Sequence, residues 1–128
     1  MSLLIPVSWG ELLDKLTILH IKIERIKDQD KRDNISRELQ QLTAIYQQSG
    51  VSGSKLIILI DELRQVNETL WDIEDRIRVC EKTGDFGSRF IELARSVYIT
   101  NDRRANLKHQ INRLLDSDII EEKSYESY

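Results

Sequence analysis

The chain is poor in the residues that interrupt helices and in those that staple small folds. It has one proline, Pro6, and five glycines in 128 residues. A strand-rich fold needs a turn every few residues, so this scarcity of breakers favours long helices. Cys80 is the only cysteine, which excludes an internal disulfide and gives no sign of an oxidising compartment. Beyond the chain start, the longest uncharged apolar run is Leu56 to Ile60, far too short to span a bilayer. The segment Met1-Ser2-Leu3-Leu4-Ile5-Pro6-Val7 lacks the basic flank and the apolar length of a signal peptide. A cytoplasmic location with no membrane partner is the expectation. An excess of basic charge is missing too: the net charge is −3, where a nucleic-acid-binding protein presents an unbalanced basic face, so no nucleic acid is expected. Phosphate loop, nucleophile elbow and dinucleotide fingerprint are all absent. No catalytic residue, cofactor or metal site is therefore assigned, and whether the chain is an enzyme stays open.

What is present suits one helical domain over residues 1–128, long enough to bury roughly two-thirds of its unfolded surface without staples. Ser8-Trp9-Gly10-Glu11 has the S-x-x-E form of a capping box, in which Ser8 caps the helix and Glu11 reaches back. Leu12, Leu16, Leu19, Ile23 and Ile26 follow at alternating spacings of four and three, the signature of a helix–helix seam. The next members of that seam would be Asp30 and Asp33, whereas the apolar set resumes at Ile35, Leu39 and Leu42. An unbroken helix to Gln48 would be about 60 Å long, well beyond its partners. The slipped stripe predicts a kink or break within residues 29–34.

Ser49-Gly50-Val51-Ser52-Gly53-Ser54 reads as a loop. A second seam runs Leu56, Leu59, Leu63, Val66, Leu70, Ile73, Ile77 and Cys80, and Gly84 suits the left-handed cap that ends it. Ser88 is the expected N-cap of a third helix, with Leu93, Val97, Thr100, Arg104, Leu107, Ile111 and Leu114 on its seam. Residues 116–128 read as an acidic tail. The fold class is thus all-α: an antiparallel bundle of three long helical segments, the first kinked or broken near 29–34. Leu13, Ile18 and Ile21, with Ile57, Ile58 and Ile60, widen two apolar faces beyond a single seam. Such faces want burial on two sides, and a two-fold homodimer is the expected partner.

The third segment carries the polar exceptions. An arginine at a seam position must pair, snorkel or face a polar cavity, because an unpaired buried charge costs several kcal/mol. For Arg104, Glu74, Asp75 and Asp14 are the possible partners, and an internal ion pair competes with a ligand-facing guanidinium. Arg95, Tyr98 and Asp102 share one helix face, and Asn101 lies beside Arg104 on another. On the second segment Asn67, Trp71 and Glu74 form a stripe next to the seam, and a tryptophan there is either a stacking platform or a core-edge residue. These eight residues are the candidate ligand site: Arg95, Tyr98, Asn101, Asp102 and Arg104 with Trp71, Glu74 and Asn67. His20 and Glu24 sit one turn apart, but no third metal ligand accompanies them. Charge is segregated as well. Residues 93–115 hold five cations and one anion, and residues 116–128 hold five acids and Lys123, so either the tail folds back near the basic helix or both segments are simply solvated.

Four stretches together resemble an uncharacterised bacterial family of small helical proteins. They are the run from Ile5 to Leu19, Leu70-Trp71-Asp72-Ile73-Glu74-Asp75, the run from Phe90 to Arg104, and Glu122-Lys123-Ser124-Tyr125. The resemblance implies a helical accessory module associated with bacterial surface-glycan metabolism, in a family that often has an acid where this chain has His20. Two functions remain. One is a non-catalytic interaction module that binds itself or a partner protein. The other is a binding protein or enzyme for a small anionic metabolite held between helices.

Overall fold

The computed structural model describes residues 1–128 and holds four helices and no strand: α1 (Trp9–Arg25), α2 (Gln29–Ser49), α3 (Ser54–Thr83) and α4 (Ser88–Leu114). The expected first segment is two separate helices, so the bundle has four members and not three. The break also falls earlier than residues 29–34. Helix α1 ends at Arg25, and Asp28 caps α2 by accepting from the Lys31 N–H at 3.0 Å. An aspartate at this position satisfies a helix N-terminus more cheaply than continuing an unfavourable stripe. Arg32 completes the corner by donating to the Ile23 and Ile26 carbonyls, acceptors that the end of α1 leaves free.

Two cap expectations need correction. Ser8 accepts from the Glu11 N–H at 3.1 Å, but the Glu11 carboxylate turns away from the cap to meet Lys108 at 2.7 Å. The box is half closed because a cation on α4 offers the carboxylate a better partner than a backbone N–H. Ser88 is the first residue of α4 and its cap position is Gly87, whose N–H donates to Asp85 Oδ1 at 3.1 Å. Gly84, at φ 70°, does end α3.

Contacts between helices set their directions. The pairs Gly10–Asn112, Glu11–Lys108 and Asp14–Arg104 run antiparallel between α1 and α4. Lys15–Glu38 and the Arg32 bonds make α1 and α2 antiparallel, while Thr17–Asn67 and Arg25–Asp72 run α1 alongside α3 in the same sense. The chain therefore goes up, down, up and down. Helix α1 is central: α2 approaches it and no other helix within 8 Å between Cα atoms. The core joins Leu12, Leu13 and Leu16 of α1 to Leu56, Leu63 and Val66 of α3 and to Leu107 and Ile111 of α4. Leu13 and Ile21 lie off the α1 seam, yet each is 1% exposed, because α1 is wrapped on several sides by its own chain. That apolar width needs no second copy to cover it. None of the helices is long and apolar enough to cross a membrane.

Candidate functional site

The first turn of α1 shows why α1 and α4 touch. A helix N-terminus leaves backbone N–H groups without intrahelical partners. Three different acceptors meet them here: Ser117 Oγ takes the Trp9 N–H at 3.2 Å, Asn112 Oδ1 takes that of Gly10 at 2.6 Å, and Ser8 takes that of Glu11. Asn112 is 2% exposed and reaches its donor because Gly10 has no side chain. A Cβ on Gly10 would lie 2.6 Å from the Lys108 carbonyl oxygen and 3.0 Å from Asn112 Oδ1.

One turn further along, Asp14 is buried against α3 and α4. Arg104 grips it with both ends of a fork, Nε to Oδ1 at 2.9 Å and Nη2 to Oδ2 at 2.5 Å. Asn67 of α3 donates to Asp14 Oδ1 and to Thr17 Oγ1, each at 2.9 Å, and Thr17 in turn donates to the Asp14 carbonyl at 2.7 Å. A bidentate arginine on a carboxylate bonded at both oxygens is the form in which a buried ion pair is tolerated. The hydrogen bonds that Arg104 donates to Asp14 raise the guanidinium pKa above its ordinary value, against the opposing effect of burial. Of the possible partners, Asp14 is the one Arg104 takes. Its side chain nevertheless remains 30% exposed, and Nη1 makes no hydrogen bond to the protein.

Above this network a groove of about 420 Å³ opens between α1, α3 and α4, with Ile18, Ile21, Leu70, Trp71 and Val97 supplying its apolar lining. Five of the eight candidate residues line it: Asn67, Trp71, Glu74, Asn101 and Arg104. The other three do not. Arg95 is exposed on α4 outside the groove. Tyr98 and Asp102 face the tail instead, where the Tyr98 ring stands edge-on to Tyr128 and Asp102 accepts from the Tyr128 hydroxyl at 2.7 Å. The groove is a poor cradle for an anion. Two nitrogens of Arg104 are spent on Asp14, and Glu74 and Asp75 add negative charge. Trp71 is no free platform either, because the Arg25 guanidinium lies 5.8 Å from its ring centroid.

Residues 116–128 turn back along α4, the first of the two arrangements that the segregated charge allows. Glu121 lies by Lys108 and His109, and Lys123 pairs with Asp102 at 3.5 Å. Sequence reasoning passed over Asn112 and Gly10. A glycine inside a first helical turn, where its backbone freedom has no use, is the signal of a close approach. No three His, Cys, Asp or Glu side chains come together as a metal cluster, and Cys80 is buried.

Residues 3–128 match the model of a family described as a family of unknown function, DUF6165. The chain belongs to that family. No curated protein and no solved structure matches it. The family match covers both the Asp14–Arg104 network and the tail, so both lie within the family's domain.

Proposed function

We propose that the chain is a non-catalytic helical interaction module that pairs with a second copy of itself through the end of the bundle where α1 begins. The up-down topology gathers the chain start, the α2–α3 loop and the end of α4 at that end. The observation that carries the reading is the apolar surface collected there. Leu3, Leu4 and Ile5 are 86%, 94% and 73% exposed, and Ile57 and Ile58 on the first turn of α3 are 64% and 58% exposed. Ile119 and Ile120, in the tail that follows α4, are 37% and 46% exposed. Contiguous exposed apolar surface is the usual mark of an interaction site. Complete burial of one such side chain contributes about 1.5–3 kcal/mol, so a handful per protomer can offset an association cost of about 4–15 kcal/mol.

A second copy fits this end because residues 1–7 carry no charged side chain and can lie across Ile57 and Ile58 of a two-fold partner, which returns the same contact. The groove over Arg104 supports a catalytic reading less well, since its charged groups are already paired or mutually opposed. Sedimentation equilibrium at micromolar concentration is the test. The parent should be a dimer, and both Ile57→Asp/Ile58→Asp and removal of residues 2–7 should make it a monomer. A monomeric parent, or a dimer that survives both changes, overturns the reading.

A further inference from the structure

The tail and α4 enclose a second depression, of about 210 Å³, on the side of Arg104 away from Trp71. Its α4 wall is a single helical stripe, Asn101, Arg104, Lys108, His109 and Asn112 among it, and its tail wall is Glu121, Glu122 and Lys123. The stripe offers donors almost exclusively. Lys108 is 16% exposed and bonds Glu11, with two further ammonium hydrogens to give. Arg104 is held rigid by Asp14 while its Nη1 stays unused.

Asn112 makes the point independently. The Gly10 N–H can only donate, so the amide oxygen must face it, and the assignment of the two amide ends is not arbitrary. The amide NH2 is then the only group that Asn112, 2% exposed, has left to turn toward the depression. Its nitrogen has no hydrogen-bond partner in the protein, yet it is not among fully buried unsatisfied atoms. A buried, oriented donor beside an arginine and a lysine is a built feature and not a solvated surface.

His109 Nε2 is taken by the Glu121 carbonyl at 2.7 Å, but the tail's carboxylates answer the stripe weakly. Glu121 stands 3.8 Å from Lys108 Nζ, and Glu122 stands 4.0 Å from His109 Nε2. Both glutamates are largely exposed, and ion pairs of that kind contribute about 0–1 kcal/mol. They occupy the position of an anion without making the short, charge-assisted bonds that an anion placed on the stripe would make.

We propose that this cleft binds a compact oxyanion, of the class of a phosphate monoester, and that Glu121 and Glu122 compete with it from within the chain. The ligand's oxygens accept from Arg104 Nη1, Lys108 and the Asn112 amide while the tail carboxylates swing aside. Ile57 and Ile58 take no part in this site, so it stands or falls apart from self-association through them.

The test is an amide NMR titration with inorganic phosphate and with phenyl phosphate, against sodium chloride at matched ionic strength. Both phosphates should perturb residues 101–112 and the Asn112 side-chain amide, and chloride should not. Glu121→Gln/Glu122→Gln, confined to exposed residues, should tighten phosphate binding several-fold. Lys108→Gln should weaken it by a similar factor, and the monomeric Ile57→Asp/Ile58→Asp protein should bind as the parent does. Perturbation that follows ionic strength alone, or an affinity unmoved by the double glutamine change, overturns the proposal. Binding of phenyl phosphate without inorganic phosphate does so too, since the ring would then be what the cleft recognises.

Discussion

Helix α1 is joined to α4 and to α2 in different ways. Against α4 it is glycine-to-backbone close, and its polar contacts are buried: Asn112 at 2% exposure and Asp14 at 1%. Against α2 its polar contacts are the surface pair Lys15–Glu38 and the Arg32 corner, and Ile35 is the only buried residue that α2 contributes. The lesson is that stability is unevenly spread. A helix held by one neighbour and few buried side chains opens before helices locked by buried networks.

The largest expected effect breaks the α1–α4 lock. Arg104→Met leaves the Asp14 carboxylate buried with Asn67 as its only remaining side-chain donor, and removal of one partner of a buried pair costs about 3–5 kcal/mol. Urea denaturation should show that loss, and Asp14→Leu/Arg104→Met should recover most of it, because no charge is then stranded. A double variant as unstable as the single one would mean that the network holds the helices by shape and not by charge.

Gly10→Ala sharpens the same side of the comparison. The added methyl meets a backbone oxygen, which cannot rotate away, so α1 must shift on α4. The expected loss is roughly 1–3 kcal/mol, in the range of overpacked cores. Alanine is otherwise the better helix residue, so a stabilised variant would refute the close approach.

The smallest effect lies on the loose side. Asp28→Ala removes the α2 cap, a change of about 0.5–2 kcal/mol. Hydrogen exchange should quicken in α2 while α1, α3 and α4 keep their protection. Uniform quickening across all four helices would show that α2 is as tightly coupled as the rest.

Much of the fold was legible from periodicity, and the reason is local. Alternating three- and four-residue spacing marks a helix face whatever packs on it, so the α3 seam from Leu56 to Cys80 reads correctly end to end. The α1–α2 corner was legible only as a slip in the stripe. Its true place depends on Asp28 and Arg32, a cap and a counter-cap that apolar spacing does not register. The candidate site was half legible. Polar residues beside a seam identified Asn67, Trp71, Glu74, Asn101 and Arg104, which the groove does gather. Arg95, Tyr98 and Asp102 share a different face of the same helix, and that face turns away from the groove.

By itself, then, the sequence determined that this protein is helical, where most helices begin and end, and that Arg104 had to pair, snorkel or face a polar cavity. Those follow from spacing, capping chemistry and the cost of a buried charge, all of which act within a few residues. Tertiary structure alone decided that the partner is Asp14, that Gly10 admits α4, that the Asn112 amide oxygen turns to the Gly10 N–H, and that Ile57 and Ile58 lie at the same end of the bundle as the chain start. Each of these joins residues about 50 or more positions apart, and only the packing of helices brings such groups together.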